Sequence, residues 1–288
     1  MNRELVNFFL DHLSIERRLS PHTITSYSTD LEQFIAFIEP QTLLEVQAID
    51  VRKWLISLSD DTIQNRSINR KLATLRTLYK YLVRSGKMAE NPMTSIRMVK
   101  TTKKLPHFVR ESEMENLVEN RKIATNFSEA RDELILFLLY GTGIRLAELI
   151  SLQNNAVNLA AKTIRVIGKR NKERVIPIPQ LLIELIQAYR SFCTFENSHL
   201  LLTDKGEPLY PMFVQRLVKK NLGEFSQLEK LSPHVLRHTY ARHLLNRGAD
   251  LNAITELLGH ANLAATQVYT HNSMEKMKAI YLQAHPKA

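Results

Sequence analysis

Apolar residues recur along the first third of the chain at spacings of three and four, the period of an amphipathic helix. Leu5, Phe8, Phe9 and Leu13 form such a stripe within residues 2–17. A second helix is predicted to begin at Ser20-Pro21, a capping hydroxyl followed by proline in the first turn. It carries Tyr27, Leu31, Phe34, Ile35 and Phe37 as its apolar positions. A third helix is expected over about 44–58. A fourth, over about 67–84, turns Ile68, Leu72, Leu75, Leu78, Tyr79 and Leu82 inward, with Gly86 as its stop. The first domain is therefore expected to be four helices over residues 1–97.

From residue 106 onward the pattern changes. Residues 131–140 read as a strongly apolar helix that breaks at Gly141-Thr142-Gly143, and another helix is expected over 145–152. Two β-branched runs, 163–167 and 174–178, flank Gly168-Lys169-Arg170-Asn171-Lys172-Glu173, a hairpin signature. Helical patterning resumes over 179–192, 212–225, 233–246 and 251–258, around Tyr269, and in a tail from about Met274. The fold expected is mainly α, with a linker over 98–106 and a mixed, mostly helical domain with a small antiparallel sheet over 107–288.

Charge sharpens this picture. The 288 residues are 44% apolar and 24% charged, which suits a globular chain, and the net charge is +10. A basic balance fits either a solvated surface or a polyanion partner. Its distribution is uneven: between Arg66 and Lys104 there are eleven lysines and arginines and one acid, Glu90. The stretch Val99-Lys100-Thr101-Thr102-Lys103-Lys104 has no apolar period, which favours a linker lying along phosphates over a solvated helix face. Arg66, Arg70, Lys71, Lys100, Lys103 and Lys104 are thus the candidate phosphate-contacting, nucleic-acid-binding residues.

The single cysteine, Cys193, excludes an intrachain disulfide and a cysteine-rich zinc cluster; it is expected as a small filler within a helix. No secretory signal or membrane-length apolar run is apparent, so a soluble, cytoplasmic protein is expected.

Several polar residues stand where neither a core nor a plain surface requires them. Arg145 follows Gly141-Thr142-Gly143-Ile144 at a helix start, where an arginine grips a phosphate well. The plainer alternative is a salt bridge to Glu148. In Ser232-Pro233-His234-Val235-Leu236-Arg237-His238, His234 and Arg237 leave one face of the first helical turn, a good oxyanion site. His234 and His238 have the spacing of a zinc pair, but no third ligand accompanies them and no metal is expected. Ser20-Pro21-His22 repeats the capping pattern without an arginine three residues on, so His22 reads as a helix-start residue. His260 follows a helix-ending Gly259, and Tyr269 comes nine residues later; alone, each is more often structural than functional.

Together these segments resemble the tyrosine recombinase (phage integrase) family, most closely its Xer type. The likeness rests on Thr142-Gly143-Ile144-Arg145-Leu146-Ala147-Glu148-Leu149, the Gly168–Arg174 hairpin, Pro233-His234-Val235-Leu236-Arg237-His238, Leu257-Leu258-Gly259-His260 and Tyr269-Thr270-His271. It covers nearly the whole chain, including the first half, which is similar to the family's SAM-like core-binding domain. The resemblance implies a two-domain, C-shaped clamp around DNA and a metal-free strand exchange that needs no nucleotide cofactor. It implies that Arg145 and Arg237 bind the scissile phosphate, that His234 and His260 complete the pocket, and that Lys169 sits on the hairpin. Tyr269 would be the nucleophile. Lys172 is the rival lysine in that turn; the family pattern favours Lys169. Two departures stand out: Arg170 replaces a common glycine, and 262–266 is poor in hydroxyls. The implied partners are double-stranded DNA with a specific site, a homo- or hetero-tetramer docked through the C-terminal helix, and a DNA translocase. The implied role is chromosome dimer resolution. A mobile-element integrase, a type IB topoisomerase and a non-catalytic DNA-binding protein are the competing readings, with a metal hydrolase on His234 and His238 as the alternative outside DNA chemistry.

Overall fold

The computed structural model describes residues 1–60, 63–101, 107–168, 171–226, 228 and 231–259. The chain forms two compact units, Met1–Lys104 and Leu105–Ala288.

In the first unit, α1 (Asn2–Asp11) runs on into a single π turn (His12–Glu16), so the predicted first helix is continuous but loosens at its end. α2 (Pro21–Ile38) starts as expected, with the Ser20 hydroxyl accepting from the Thr23 amide at 3.4 Å. α3 (Ala48–Asp60) begins later than its apolar pattern suggests. Leu43 and Val46 are buried from the preceding turns, so burial there reflects packing rather than helical period. α4 (Asn65–Arg84) buries the six apolar residues expected of it. Phe9, Leu31, Phe34, Trp54, Leu72, Leu75 and Leu78 meet in one core. Phe37 is not part of it. The inward face of α2 follows Asp30, Leu31, Phe34 and Ile38, leaving Phe37 39% exposed.

The second unit contains α5 (Glu111–Glu119), α6 (Phe127–Thr142), α7 (Leu146–Ile150), β1 (Val157–Asn158), β2 (Thr163–Ile167), β3 (Glu173–Pro177), α8 (Gln180–Phe192), α9 (Pro211–Gly223), α10 (Pro233–Asn246) and α11 (Leu251–Leu258). α6 packs against α8 and α10, which explains why its apolar residues encircle it instead of forming a stripe. The break expected at Gly141-Thr142-Gly143 occurs within that triplet. α6 continues through Thr142, whose hydroxyl donates back to the Leu138 carbonyl, and ends at Gly143 in the left-handed region (φ 59°). α7 is correspondingly short, and Cys193 lies just past the end of α8 rather than within it.

The sheet is antiparallel in the order β1-β2-β3, with Thr163 opposite Pro177 and Ile167 opposite Glu173. The expected hairpin is thus present, its second strand one residue earlier than the β-branched run suggests, and β1 is an added short edge strand. Alternation along β3 turns Arg174 and Ile176 inward. α10 and α11 have the bounds that the sequence predicts, although Ser232 closes α10 without a side-chain hydrogen bond.

Candidate functional site

The site is built on the end of α11. Gly259 adopts φ 64° and stops that helix, leaving its last carbonyls without intrahelical donors. Three arginines from three other elements supply them. Arg174 Nε donates to the Leu257 carbonyl at 2.8 Å, Arg237 Nη2 to Leu258 at 2.6 Å, and Arg145 Nη2 to Gly259 at 3.0 Å. The negative end of the α11 dipole favours this gathering of cations.

Arg145 caps α7. Its backbone amide and its Nη1 both donate to the Glu148 carboxylate at 2.8 Å, so the plainer alternative raised by the sequence is realised alongside the convergence. The Arg145 side chain is still 34% exposed, and Nη2 alone reaches α11. Arg237, one turn into α10, is buried and also donates through Nη1 to the Gly143 carbonyl. Burial, then the charges of Arg145 and Arg174, lower its pKa to about 10, leaving it cationic near neutrality. Glu148 is buried as well. Burial opposes its ionisation, but the hydrogen bonds from Arg174 and Arg145 outweigh that and bring its pKa down to about 2. Three guanidiniums against one carboxylate leave two positive charges unbalanced, a field that suits a phosphodiester and its dianionic transition state.

Gly143 permits the close packing at this point. A Cβ there would lie 2.4 Å from Tyr240 Cδ1, beneath the loop that carries Arg145. His234 is exposed at the start of α10, and His238 one turn further on is also exposed. Burial, then the charges of His234 and Arg237, hold His238 below the usual imidazole value. Among the described residues no group of three or more His, Cys, Asp or Glu is placed to hold a metal ion.

Lys169, His260 and Tyr269 lie outside the described residues, as do Lys103, Lys104 and the tail. Their neighbours Gly168 and Gly259 are described. Each rests against the arginine cluster: a Cβ on Gly168 would be 3.3 Å from Glu148 Oε1, and one on Gly259 would be 3.2 Å from Arg174 Nη1.

In the first unit, Arg66, Arg70 and Lys100 are exposed. Asn65 donates to the Lys100 carbonyl at 2.9 Å, and Asn69 holds Val99 through both its side-chain atoms, so the start of the basic linker lies along the start of α4. Lys71 must be corrected. Its ammonium is buried against Asp30 and Gln33, because position 71 falls on the inward face of α4 beside Leu72 and Leu75. It serves the core of the unit and is not a surface cation.

Sequence reasoning missed Arg174 and assigned Glu148 only a pairing role. Strand parity could have found Arg174, since it shares a face with Ile176 and Ile178, where a charged residue is out of place.

Residues 107–276 match the phage integrase family, and residues 6–86 match the phage integrase N-terminal SAM-like domain. The chain belongs to the phage integrase family. The tyrosine recombinase XerC of Chlorobaculum parvum is 37% identical to this family member, over 97% of this chain and 94% of its own. The XerC of Pelobacter propionicus is 38% identical over 99% and 96%. Among solved structures, the Tn1549 transposon integrase in complex with transposon right end DNA superposes with a TM-score of 0.75 at 16% identity, over 95% of this chain and 99% of its own. XerH bound to a palindromic difH substrate gives 0.72 at 22%, over 91% and 80%. Both likenesses bear on the fold. Membership in the family makes this chain a DNA strand-transferring recombinase.

Proposed function

We propose that this enzyme carries out Xer-like site-specific recombination, cutting and rejoining double-stranded DNA through a 3′-phosphotyrosyl intermediate on Tyr269. The observation that carries the reading is the convergence of Arg145 and Arg237 on consecutive carbonyls at the end of α11, immediately before His260. Sequence places Tyr269 nine residues further on. The XerC relatives at 34–38% identity favour a chromosomal Xer role over a mobile-element integrase.

In this scheme Arg145, Arg237 and His234 bind the non-bridging oxygens of the scissile phosphate and stabilise the added charge of the pentacoordinate transition state. Losing one such donor typically costs about 3–4 kcal/mol of barrier. Ionising a phenol of ordinary pKa at pH 7 costs about 4 kcal/mol, so the cationic field and His260 assist removal of the Tyr269 proton. The Tyr269 oxygen bonds to phosphorus as the bond to the 5′-oxygen breaks. Lys169 donates the proton that this leaving oxygen needs. The ester is conserved in the protein–DNA link, so rejoining by a 5′-hydroxyl needs no nucleotide cofactor.

Arg66, Arg70, Lys100, Lys103 and Lys104 contact phosphates, with 98–106 acting as a basic linker between a core-binding domain over 1–97 and a catalytic domain over 107–288. A tetramer assembled through the C-terminal helix, cooperation with a DNA translocase and a cytoplasmic location complete the reading. No helix among the described residues is long and apolar enough to cross a membrane.

The test is covalent trapping on a nicked suicide substrate. The unaltered protein should run on denaturing gels as a DNA adduct and exchange strands with a partner duplex. Tyr269→Phe should bind the site without forming the adduct. An adduct from Tyr269→Phe would disprove the assigned nucleophile, and cleavage without exchange between duplexes would favour a topoisomerase.

A further inference from the structure

We infer that Arg174, which takes no part in the chemistry above, is the positioning residue that holds three catalytic segments in one frame. The inference rests on the proposed recombination chemistry. Arg174 is 5% exposed and uses its guanidinium in two directions. Nη1 and Nη2 form a two-pronged pair with Glu148 at 2.9 and 2.8 Å, while Nε donates to the Leu257 carbonyl at 2.8 Å.

Each contact leads to a different catalytic residue. Glu148 holds the backbone amide and Nη1 of Arg145, so the Arg174 fork fixes the carboxylate that aims the first phosphate ligand. Gly168, the residue before Lys169, lies directly over the ion pair: a Cβ there would be 3.3 Å from Glu148 Oε1 and 3.5 Å from Arg174 Nη1. Gly259, the residue before His260, lies against the same side chain, with a Cβ position 3.2 Å from both Arg174 Cδ and Nη1. Arg174 itself stands on β3 beside the turn in which Lys169 falls, paired with Val166. One side chain thus links α7, the β2–β3 turn and the end of α11.

Stability alone is a poor reason for such a pair, since apolar residues of similar size often serve a buried site as well or better. What the pair supplies is direction. A lysine would keep the charge but could not span both carboxylate oxygens and the Leu257 carbonyl, because it has a single nitrogen where arginine has a planar fork.

The experiment compares the unaltered protein, Tyr269→Phe, Arg174→Lys and the paired variant Glu148→Gln with Arg174→Gln. Melting temperature, site affinity by gel shift and the single-turnover rate of adduct formation are measured for each. Arg174→Lys should fold and bind DNA within about threefold of the unaltered protein, yet form the adduct on the order of 100-fold more slowly, the cost of an ångström-scale misplacement. The paired variant, which leaves no lone buried charge, should behave alike and covers the case in which Arg174→Lys fails to fold. An unaltered adduct rate in either variant would overturn the inference while leaving the recombinase reading intact. Parallel losses of binding, melting temperature and rate, or failure of both variants to fold, would also overturn it, because the pair would then support the fold and not the site. Absence of a Tyr269-dependent adduct in the unaltered protein would remove the reading of function and the inference together.

Discussion

Gly143 and His243 show how single residues of the second unit are committed. Gly143 has φ 59°, and a Cβ at that point would sit 2.4 Å from the buried ring of Tyr240. Gly143→Ala therefore meets both backbone strain and a side chain with nowhere to move, and should cost about 2–4 kcal/mol. A urea midpoint unchanged from that of the parent would contradict this. His243 is buried on α10, with Nδ1 3.0 Å from the Tyr140 hydroxyl and Nε2 2.9 Å from the Val109 carbonyl. The carbonyl requires a proton on Nε2, so Tyr140 donates to Nδ1 and the ring is neutral. Burial holds its pKa below the ordinary value, partly offset by the Val109 bond. The unfolded chain therefore binds the proton more readily. The stability due to this ring is complete above about pH 6.5 and is lost as pH falls towards the depressed folded value. Melting curves at pH 7.5 and 5.5 should show this loss, and His243→Gln should narrow it. A gap of undiminished size would assign the effect elsewhere, with His238 the first alternative.

At the level of elements, two helices of the first unit are tied by charge within an apolar core. Asp30 on α2 accepts from Arg70 Nη1 at 2.6 Å, Lys71 Nζ at 3.2 Å and the Thr74 hydroxyl at 2.9 Å, all on α4. Lys71 also lies 5.9 Å from the Trp54 ring centroid. Removing the carboxylate leaves the Lys71 ammonium buried without its counter-ion, which costs about 3–5 kcal/mol. Asp30→Ala should thus destabilise the unit far more than Arg66→Ala, which touches only the exposed start of α4. Equal chemical denaturation of the two variants would show that Asp30 is not the counter-ion that Lys71 requires. The same network explains why a cluster of basic residues along α4 does not translate position by position into a DNA surface. Helical period, not charge, decides which of them faces out.

On the scale of the whole molecule, each unit carries a concentration of positive charge: the second in its arginine cluster, the first in Arg66, Arg70 and Lys100 at the start of α4 and of the basic linker. Each phosphate neutralised contributes about 0.9 to the slope of log K against log salt. Replacing Lys100, Lys103 and Lys104 with alanine should lower that slope by about 2–3 and weaken binding on all sequences alike. An unaltered slope would place these lysines in solvent.

Much of the architecture was legible in the sequence. Periodicity marked α4, α10 and α11, the Ser20-Pro21 cap marked the start of α2, and the β-branched runs marked the hairpin, because these signals depend on residues a few positions apart. What lay beyond reach depends on packing between distant segments: the exposure of Phe37, and the Asp30 and Gln33 partners that receive Lys71 inside the first unit. The arginine cluster is the clearest case. Arg145 meets Gly259 across 114 positions, and Arg174 meets Leu257 across 83. The order of residues along the chain determined which groups could carry the chemistry. Only the tertiary structure decided that a third arginine stands among them, since burying that guanidinium is tolerable only where Glu148 and the open end of α11 are already in place to receive it.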